Sequence, residues 1–482
     1  MKLKNKLYFF YSLSFLEGGM MFVTELASTR KIAVFFGGSL YVWLVVLSVT
    51  LVGLAFGYYV SNSIIRKIQN NSLQDKIKWI ALFFLVLSFW LLLWKWNTQL
   101  SLFMISLGID LIPAVLMDAL FLILIPMFVY GSLTTFIIAA TQILSTKEVV
   151  YGKILAYSTF GSVFLAIVAV LWAFPYLGVQ WTMSIIALLS FCLAIITYKI
   201  NLFYSIILLI LFILPEKTIR ANVLYKNDGA FSSVMVIDDV SVRYLVVNYI
   251  IQTFIDKSNY KTLPYVEVLD SIAQLQNWKN KDILILGLGG GVLANKMIER
   301  QCNITGVEID SRIIMCAKKF FHLSDKVKTY CEDAQWWIQK DTNKYDVIIM
   351  DVFNGEEPPS YLLTYENFLK LKNLLKDKNS LIIINWYGYY TSYLGKSTRI
   401  LINTLYQVGY YVSLVPTNKL ESQSNLVIFA SINQDVLPTN TIAVKQENEI
   451  NTQDKNVLSL LNANANYEWR KGYLKFIEYW WR

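Results

Sequence analysis

Apolar stretches of roughly the length that crosses a hydrocarbon core as helix, about 17 to 25 residues, follow one another through the first 215 residues. They run near Leu7 to Ala27, Leu40 to Val60, Trp79 to Trp94, Pro113 to Ala140, Leu155 to Phe174, Trp181 to Tyr198 and Leu202 to Leu214. One soluble globule cannot hide that much uncharged chain, so the spacing predicts a membrane domain of about seven helical spans over residues 1–215. The composition agrees: 55% of residues are hydrophobic and 16% charged, against about 25% charged in an average soluble domain. From Glu216 onward Lys, Asp, Glu and Asn recur every few positions, which predicts a water-soluble second half.

The net charge of +9 comes from dispersed Lys and Arg flanking apolar runs, a pattern that orients spans and argues against a nucleic-acid partner. Lys2, Lys4 and Lys6 precede the first span, and Arg66, Lys67, Lys76 and Lys78 fill the second loop, so the amino terminus is expected in the cytoplasm. An odd number of spans would then put the second half outside, and an even number inside. The stretch Asn97 to Met117, broken by Asp110 and Pro113, decides between them: it reads as an extra short crossing, a re-entrant piece or an interfacial helix. The expectation is a multi-pass protein of the bacterial inner membrane with a cytoplasmic second half. Glu17 and Glu25 in the first apolar run, and no small-residue cleavage site, speak against a cleaved signal peptide. Glu17, Glu25, Arg30 and Asp118 fall in or near spans and are either site residues or intramembrane ion pairs. Gly53, Gly57, Gly131, Gly152 and Gly161 are expected to let helices pack closely. Cys192, Cys302, Cys316 and Cys331 have no metal-ligand spacing; reduced thiols and no metal site are expected.

In the second half, short alternating runs between Ala221 and Asp256 predict a small β-meander, followed by a helix from Tyr265 to Trp278. Strands then alternate with helices: Ile283–Leu286, Ile304–Val307, Val327–Tyr330, Val347–Met350 and Leu381–Asn385 as strands, with helices at Leu293–Arg300, Ser311–Phe320, Gln335–Lys340 and Tyr365–Leu375. This predicts an α/β, Rossmann-like doubly wound parallel sheet, with ligands at the carboxyl ends of the strands.

Gly287, Gly289 and Gly291 permit a tight turn after the first of those strands and close approach to a ligand. Glu308 ends the next strand, 21 positions after Gly287, where a carboxylate can accept both ribose hydroxyls. Nicotinamide and S-adenosyl enzymes share these features. Asp333 and Asp351, after the third and fourth strands, favour the S-adenosyl class, because such a ligand lies extended across successive strand ends. Asp333 reads equally as a helix N-cap.

The segments LVVNYIIQT, PYVEVL, ILILGLGGGV, VEID, CEDA and YDVIIMDVFNGEEPPSYLLT, with FVTELASTRKIAVFFGGSLYVW in the first half, resemble the membrane-fused spermidine synthase-like proteins of bacteria. The resemblance implies aminopropyl transfer from decarboxylated S-adenosylmethionine to an amine such as putrescine, without a metal. It implies that Asp351 and Tyr265 are catalytic. It further implies that Gln252, Gly287, Gly289, Gly291, Glu308, Asp333 and Ala334 bind the cofactor, and that Asn354, Glu356 and Glu267 bind substrate. A small-molecule amine and the lipid bilayer are the partners, and a homodimer is compatible with it. Three positions depart from the family pattern: Gly290 stands where soluble members carry an acid, Asn354 replaces the second acid of the catalytic motif, and Val266 replaces a histidine. These changes leave open intact S-adenosylmethionine as donor in a methyltransferase, and a non-catalytic sensor or transporter. Boundaries are expected at 216–264 for the β subdomain and 265–435 for the Rossmann-like domain, with 436–482 as a polar linker and an aromatic helix that either lies at the bilayer interface or docks on the protein's own surface.

Overall fold

The computed structural model describes residues 3–68, 72–144, 149–198, 203–213, 222–228, 232–353, 359–421, 424–439, 441–442, 444–445 and 447–481. The chain divides into two compact units, one comprising most of residues 1–218 and the other most of residues 219–482.

The first unit is helical: α1 (Leu3–Phe36), α2 (Leu40–Lys67), α3 (Leu73–Leu93), α4 (Asn97–Ser106), α5 (Leu111–Ala119), α6 (Ile125–Leu144), α7 (Val149–Val168), α8 (Phe174–Thr197) and α9 (Phe203–Ile213). Helix α1 packs on α6 and α7, and α3 on α6 and α8. Small residues set these contacts: a Cβ on Gly161 would lie 1.8 Å from the Phe15 carbonyl oxygen, and one on Gly57 2.3 Å from that of Phe128, so backbones touch as in membrane bundles. Gly152, by contrast, faces open space and does not mediate packing. Among the described residues four helical segments are long and apolar enough to cross a membrane: Leu40–Lys67, Leu73–Ser106, Leu111–Leu144 and Tyr151–Thr197. The stretch Asn97–Met117 is shared between two of them. Helix α4 prolongs α3, the chain reverses around Gly108 (φ 70°), and α5 runs through a π-helical turn, Leu120–Leu124, into α6.

The second unit begins with an antiparallel sheet in the order β1 (Asn222–Asp228), β2 (Ser233–Asp238), β3 (Val242–Val247), β4 (Ile250–Asp256). Asn248 (φ 50°) and Tyr249 (φ 64°) make the tight turn between β3 and β4, both in the left-handed region that a two-residue hairpin needs.

There follow α10 (Pro264–Leu275), β5 (Asp282–Leu286), α11 (Val292–Glu299), β6 (Asn303–Glu308), α12 (Ser311–Phe320), β7 (Lys328–Cys331), α13 (Ala334–Lys340), β8 (Val347–Met350), α14 (Tyr365–Leu374), β9 (Leu381–Tyr387), α15 (Lys396–Val408), β10 (Tyr411–Pro416), β11 (Asn425–Ser431) and α16 (Leu458–Trp481). The seven-stranded sheet has the order β10-β11-β9-β8-β5-β6-β7. Strands β5 to β9 pair in parallel, whereas β11 runs antiparallel between β9 and β10. The sheet is therefore Rossmann-like but mixed, which corrects the expectation of a wholly parallel one. Strands β10 and β11 form a hairpin without a crossover helix, so the helix–strand alternation that marks the others in the sequence is missing there.

Helices cover both faces of this sheet. In β5, Ile283 and Ile285 enter one core and Leu284 and Leu286 the other, which is why that strand is uninterrupted aliphatic. The segment read as a polar linker is tied down: Asn451 is buried, its Nδ2 donating to Leu363 O at 3.0 Å and its Oδ1 accepting from Val457 N. The first half of α16 packs on this unit through buried Leu458, Ala463, Ala465 and Tyr467, and Asn462 Nδ2 donates to Tyr387 O at 2.9 Å. Docking on the protein's own surface therefore describes that half.

Candidate active site

Strands β5 and β8 are adjacent in space, but the chain leaves β5 for β6 on one side and leaves β8 for β9 on the other. A crevice opens at the carboxyl ends of such a pair. The loop after β5 holds Gly287 (φ 87°), Gly289 (φ 52°) and Gly291 (φ 75°). A Cβ on Gly287 would lie 2.2 Å from Asp351 O, so glycine is what lets the loop pass against the end of β8. The neighbouring strand ends then carry, in spatial order, Asp351 after β8, the glycine loop after β5, Glu308 at the end of β6, and Asp333 two residues beyond β7. Three strand spacings of about 4.8 Å separate the outer acids, roughly 14 Å along the edge.

Asp351 is the centre of a polar relay. Tyr265, on the first turn of α10 and 6% exposed, donates its hydroxyl to Asp351 Oδ2 at 2.6 Å. Asn385 of β9 donates Nδ2 to Asp351 Oδ1 at 2.8 Å, and its own Oδ1 accepts from Asn425 Nδ2 of β11 at 2.9 Å. Register places them so: Met350 pairs with Ile384, which brings the next residues, Asp351 and Asn385, side by side. Burial drives the Asp351 carboxyl up to about 7, against the two hydrogen bonds, which favour its charged form; the nearby Glu308 charge adds to the rise. Tyr265 is held well above its ordinary value by burial and by the Asp351 charge. The arrangement is a carboxylate able to accept a proton near neutral pH.

Glu308 is 8% exposed. Its Oε2 accepts from Leu288 N and its Oε1 from Asp310 N, both at 3.1 Å. Burial raises its carboxyl despite these bonds, and they fix both oxygens beside the glycine loop. Gly290 N donates to Thr253 Oγ1 at 2.9 Å, and a Cβ at position 290 would meet Thr253 Cγ2 at 2.8 Å. A threonine on β4 thus fills the space next to Gly290, the position where the resemblance implies an acid. Gln252 precedes it at a β-bulge, where Leu245 pairs with Thr253 and Val246 with Ile251, and a bulge re-aims the extra residue.

Asp333 caps α13, its Oδ1 accepting from Trp336 N at 2.9 Å, and its charge reaches the Tyr361 hydroxyl. Ala334 is buried at the start of that helix. Glu267 departs from expectation. It lies two residues after Tyr265, about 200° around the helix, and its carboxylate pairs with Lys296 of α11 at 3.4 Å while Tyr265 turns to Asp351. Asn354 and Glu356 lie outside the described residues. Thr253, Asn385 and Asn425 were not singled out in the sequence, because amides and hydroxyls inside apolar strands carry no spacing signal; Asn385, interrupting LIIINWY at a strand end, was the one legible hint. Beside Asn385 a small apolar recess is lined by Met350, Val352, Pro359, Leu362, Leu363 and Ile384.

Residues 262–442 match the Spermine/spermidine synthase domain. A polyamine aminopropyltransferase from Vibrio vulnificus is 34% identical over 134 residues, covering 26% of this chain and 44% of the relative. An N-terminal histidine N-methyltransferase from Emericella nidulans is 32% identical over 163 residues, covering 31% of this chain and 27% of the relative. The chain thus spans less than half the length of these two curated relatives. Among solved structures, a probable spermidine synthase from Corynebacterium glutamicum aligns over 46% of this chain and 83% of its own at 19% identity and a TM-score of 0.39. With its glycine loop, strand-end acids and matching sequence profile, the C-terminal part of this chain carries a spermine/spermidine synthase domain.

Proposed function

We propose that this protein is a membrane-bound polyamine aminopropyltransferase, moving an aminopropyl group from decarboxylated S-adenosylmethionine to a small amine such as putrescine. The observation that carries the reading is the Asp351 carboxylate, flanked by Tyr265 and Asn385 and set against the glycine loop at the switch point of the sheet. The site's residues fit an adenosyl ligand: Glu308 offers buried carboxylate oxygens beside a cradle that side chains would fill. Glu308 would hold the ribose, the glycine loop would pass along the nucleoside, and Asp333, Ala334 and Gln252 would line its ends.

An alkyl amine has a pKa of about 10.4 and is protonated at neutral pH, so it must lose a proton to become a nucleophile. Asp351 takes that proton on the oxygen facing the crevice while Tyr265 and Asn385 hold the carboxylate in place. The sulfonium donor, when bound, supplies an electrophilic carbon. The amine lone pair forms the new C–N bond as the C–S bond breaks, and the pair of electrons leaves with sulfur as a neutral thioether, methylthioadenosine. No metal is needed for this step.

A second reading, S-adenosylmethionine-dependent methyl transfer, is favoured by one observation: Thr253 packs against Gly290, the position where the resemblance implies an acid for the donor's amine. The purified full-length protein, incubated with each donor and a mixture of amines, distinguishes them by mass spectrometry. Methylthioadenosine with an extended polyamine supports the first reading; S-adenosylhomocysteine with a methylated product replaces it by the second; ligand binding without turnover replaces both by a sensor.

The four long apolar segments among the described residues support the reading that the helical unit crosses the bacterial cell membrane, an even number of times with the catalytic unit on the cytoplasmic side. Reporter fusions at the loops of that unit test it, and an extracellular catalytic unit would refute it.

A further inference from the structure

Asp118 is fully buried inside the helical unit and has no part in the proposed transfer reaction. It sits on α5, two residues before the π-helical turn that joins α5 to α6, and faces α4 across the reversal at Gly108. Its Oδ1 accepts from Asn97 Nδ2 at 2.7 Å, and its Oδ2 lies 3.0 Å from Ser101 Oγ. Asn97 and Ser101 are themselves fully buried. Among the described residues no cation forms an ion pair with this carboxyl. An ionised carboxylate enclosed by neutral groups is costly, and groups of this kind in membrane domains mark ion or proton sites. Helices interrupted next to such a group are a recurrent device for binding ions within a bundle, and π-helical turns cluster at functional positions.

Hydrogen counting shows where an occupant fits. The Ser101 hydroxyl lies 3.1 Å from Asn97 O as well as 3.0 Å from Asp118 Oδ2, and it owns a single hydrogen. The hydroxyl can serve one of these oxygens at a time, and Asn97 Nδ2 donates to Ser101 Oγ at 3.2 Å; when the hydroxyl turns to Asn97 O, Asp118 Oδ2 is open to a proton or another small cation. Asn97 Oδ1 is buried and has no hydrogen-bond partner among the described residues, so an oxygen lone pair remains within the same cluster for a cation to use. The charged group whose field reaches Asp118, among the described residues, is Lys31 of α1, which is engaged by Trp94 O at 2.8 Å.

We propose that Asp118, Asn97 and Ser101 form a site in the helical unit that binds and releases a small cation, a proton in its resting state. The helical unit is then more than an anchor: it holds a group able to couple a conformational or transport step to cation exchange. This does not depend on the chemistry of the C-terminal domain.

The test is infrared spectroscopy of the full-length protein in lipid vesicles, comparing wild type with Asp118→Asn. The expected result is a protonated-carboxyl C=O band at neutral pH that is absent from the variant, shifts in D2O, and is lost as the pH is raised. Sodium in place of choline tests the second occupant: loss of the band at constant pH shows that sodium takes the same site. The proposal is overturned if the difference spectrum holds no such band, or if the band ignores both D2O and pH, as a sealed structural acid would. Should Asp118→Asn fail to fold, wild type grown with carbonyl-labelled aspartate identifies the band, and Ser101→Ala must move it.

Discussion

Replacing Asn385 with leucine probes the active-site relay with little change in volume. The substitution removes the 2.8 Å bond from Asn385 Nδ2 to Asp351 Oδ1 and leaves the Tyr265 bond at 2.6 Å in place. The lost bond favours the charged carboxylate, so the acid binds its proton more tightly. Hydrogen bonds to charged groups contribute about 1.5–3 kcal/mol, and the lower end applies because Asp351 keeps partial exposure. One pKa unit corresponds to 1.36 kcal/mol, so the acid limb of the pH–rate profile, set by an Asp351 at about 7, moves up by about one pH unit. At pH 7 the ionised fraction drops from about one half to about one eleventh, a roughly fivefold loss of kcat/KM that recovers at alkaline pH. The assay is thioether release by the full-length protein, measured across pH with both sulfonium donors. A loss of equal size at every pH, or an unmoved limb, would refute Asn385 as the residue that tunes Asp351.

Further outcomes follow from the same geometry. Asp351→Asn abolishes turnover but raises the melting temperature of the C-terminal unit at pH 8 by on the order of a few degrees. The sign follows from a carboxyl raised from 3.8 to about 7: below pH 4 both folded and unfolded states are protonated, between pH 4 and 7 only the folded state keeps the proton, so stability falls as pH rises through that window. The gain must therefore vanish at pH 4. Gly290→Asp alone forces a Cβ to within 2.8 Å of Thr253 Cγ2 and should lower turnover with either donor, whereas Gly290→Asp with Thr253→Ser removes that methyl and should raise the kcat/KM ratio in favour of the decarboxylated donor. Gly287→Ala, with a positive φ and 2.2 Å to Asp351 O, should eliminate cofactor binding in a calorimetric titration. In the C-terminal unit a water-soluble maleimide should modify exposed Cys331 and spare Cys302 and Cys316, whose thiols burial pushes up to about 11, until the chain is unfolded.

The glycine loop shows where sequence was enough. Gly287, Gly289 and Gly291 alternate in a short run after an aliphatic strand, and all three adopt the positive φ that their spacing foretold. Glu308 and Asp351 were equally legible, since each closes a strand and period alone brings successive strand ends to one edge. The N-cap role of Asp333 was one of two readings of its position, and the structure realises it. Glu267 was not legible. Its motif neighbour Tyr265 is two residues away, and only the helix formed by both turns one toward Asp351 and the other toward Lys296.

What the sequence determined by itself is the division into an apolar and a more polar half, the α/β alternation, and the acids at consecutive strand ends, because these depend on local period and composition. Only the tertiary structure decided which neutral side chains complete the site. Asn385 comes to Asp351 from the next strand in space, Asn425 from an antiparallel strand inserted at the sheet's edge, and Thr253 from a separate sheet. Such partners are chosen by strand order and register, which are non-local, and a hydrogen-bonding amide inside an apolar strand leaves no trace in the spacing of the residues around it.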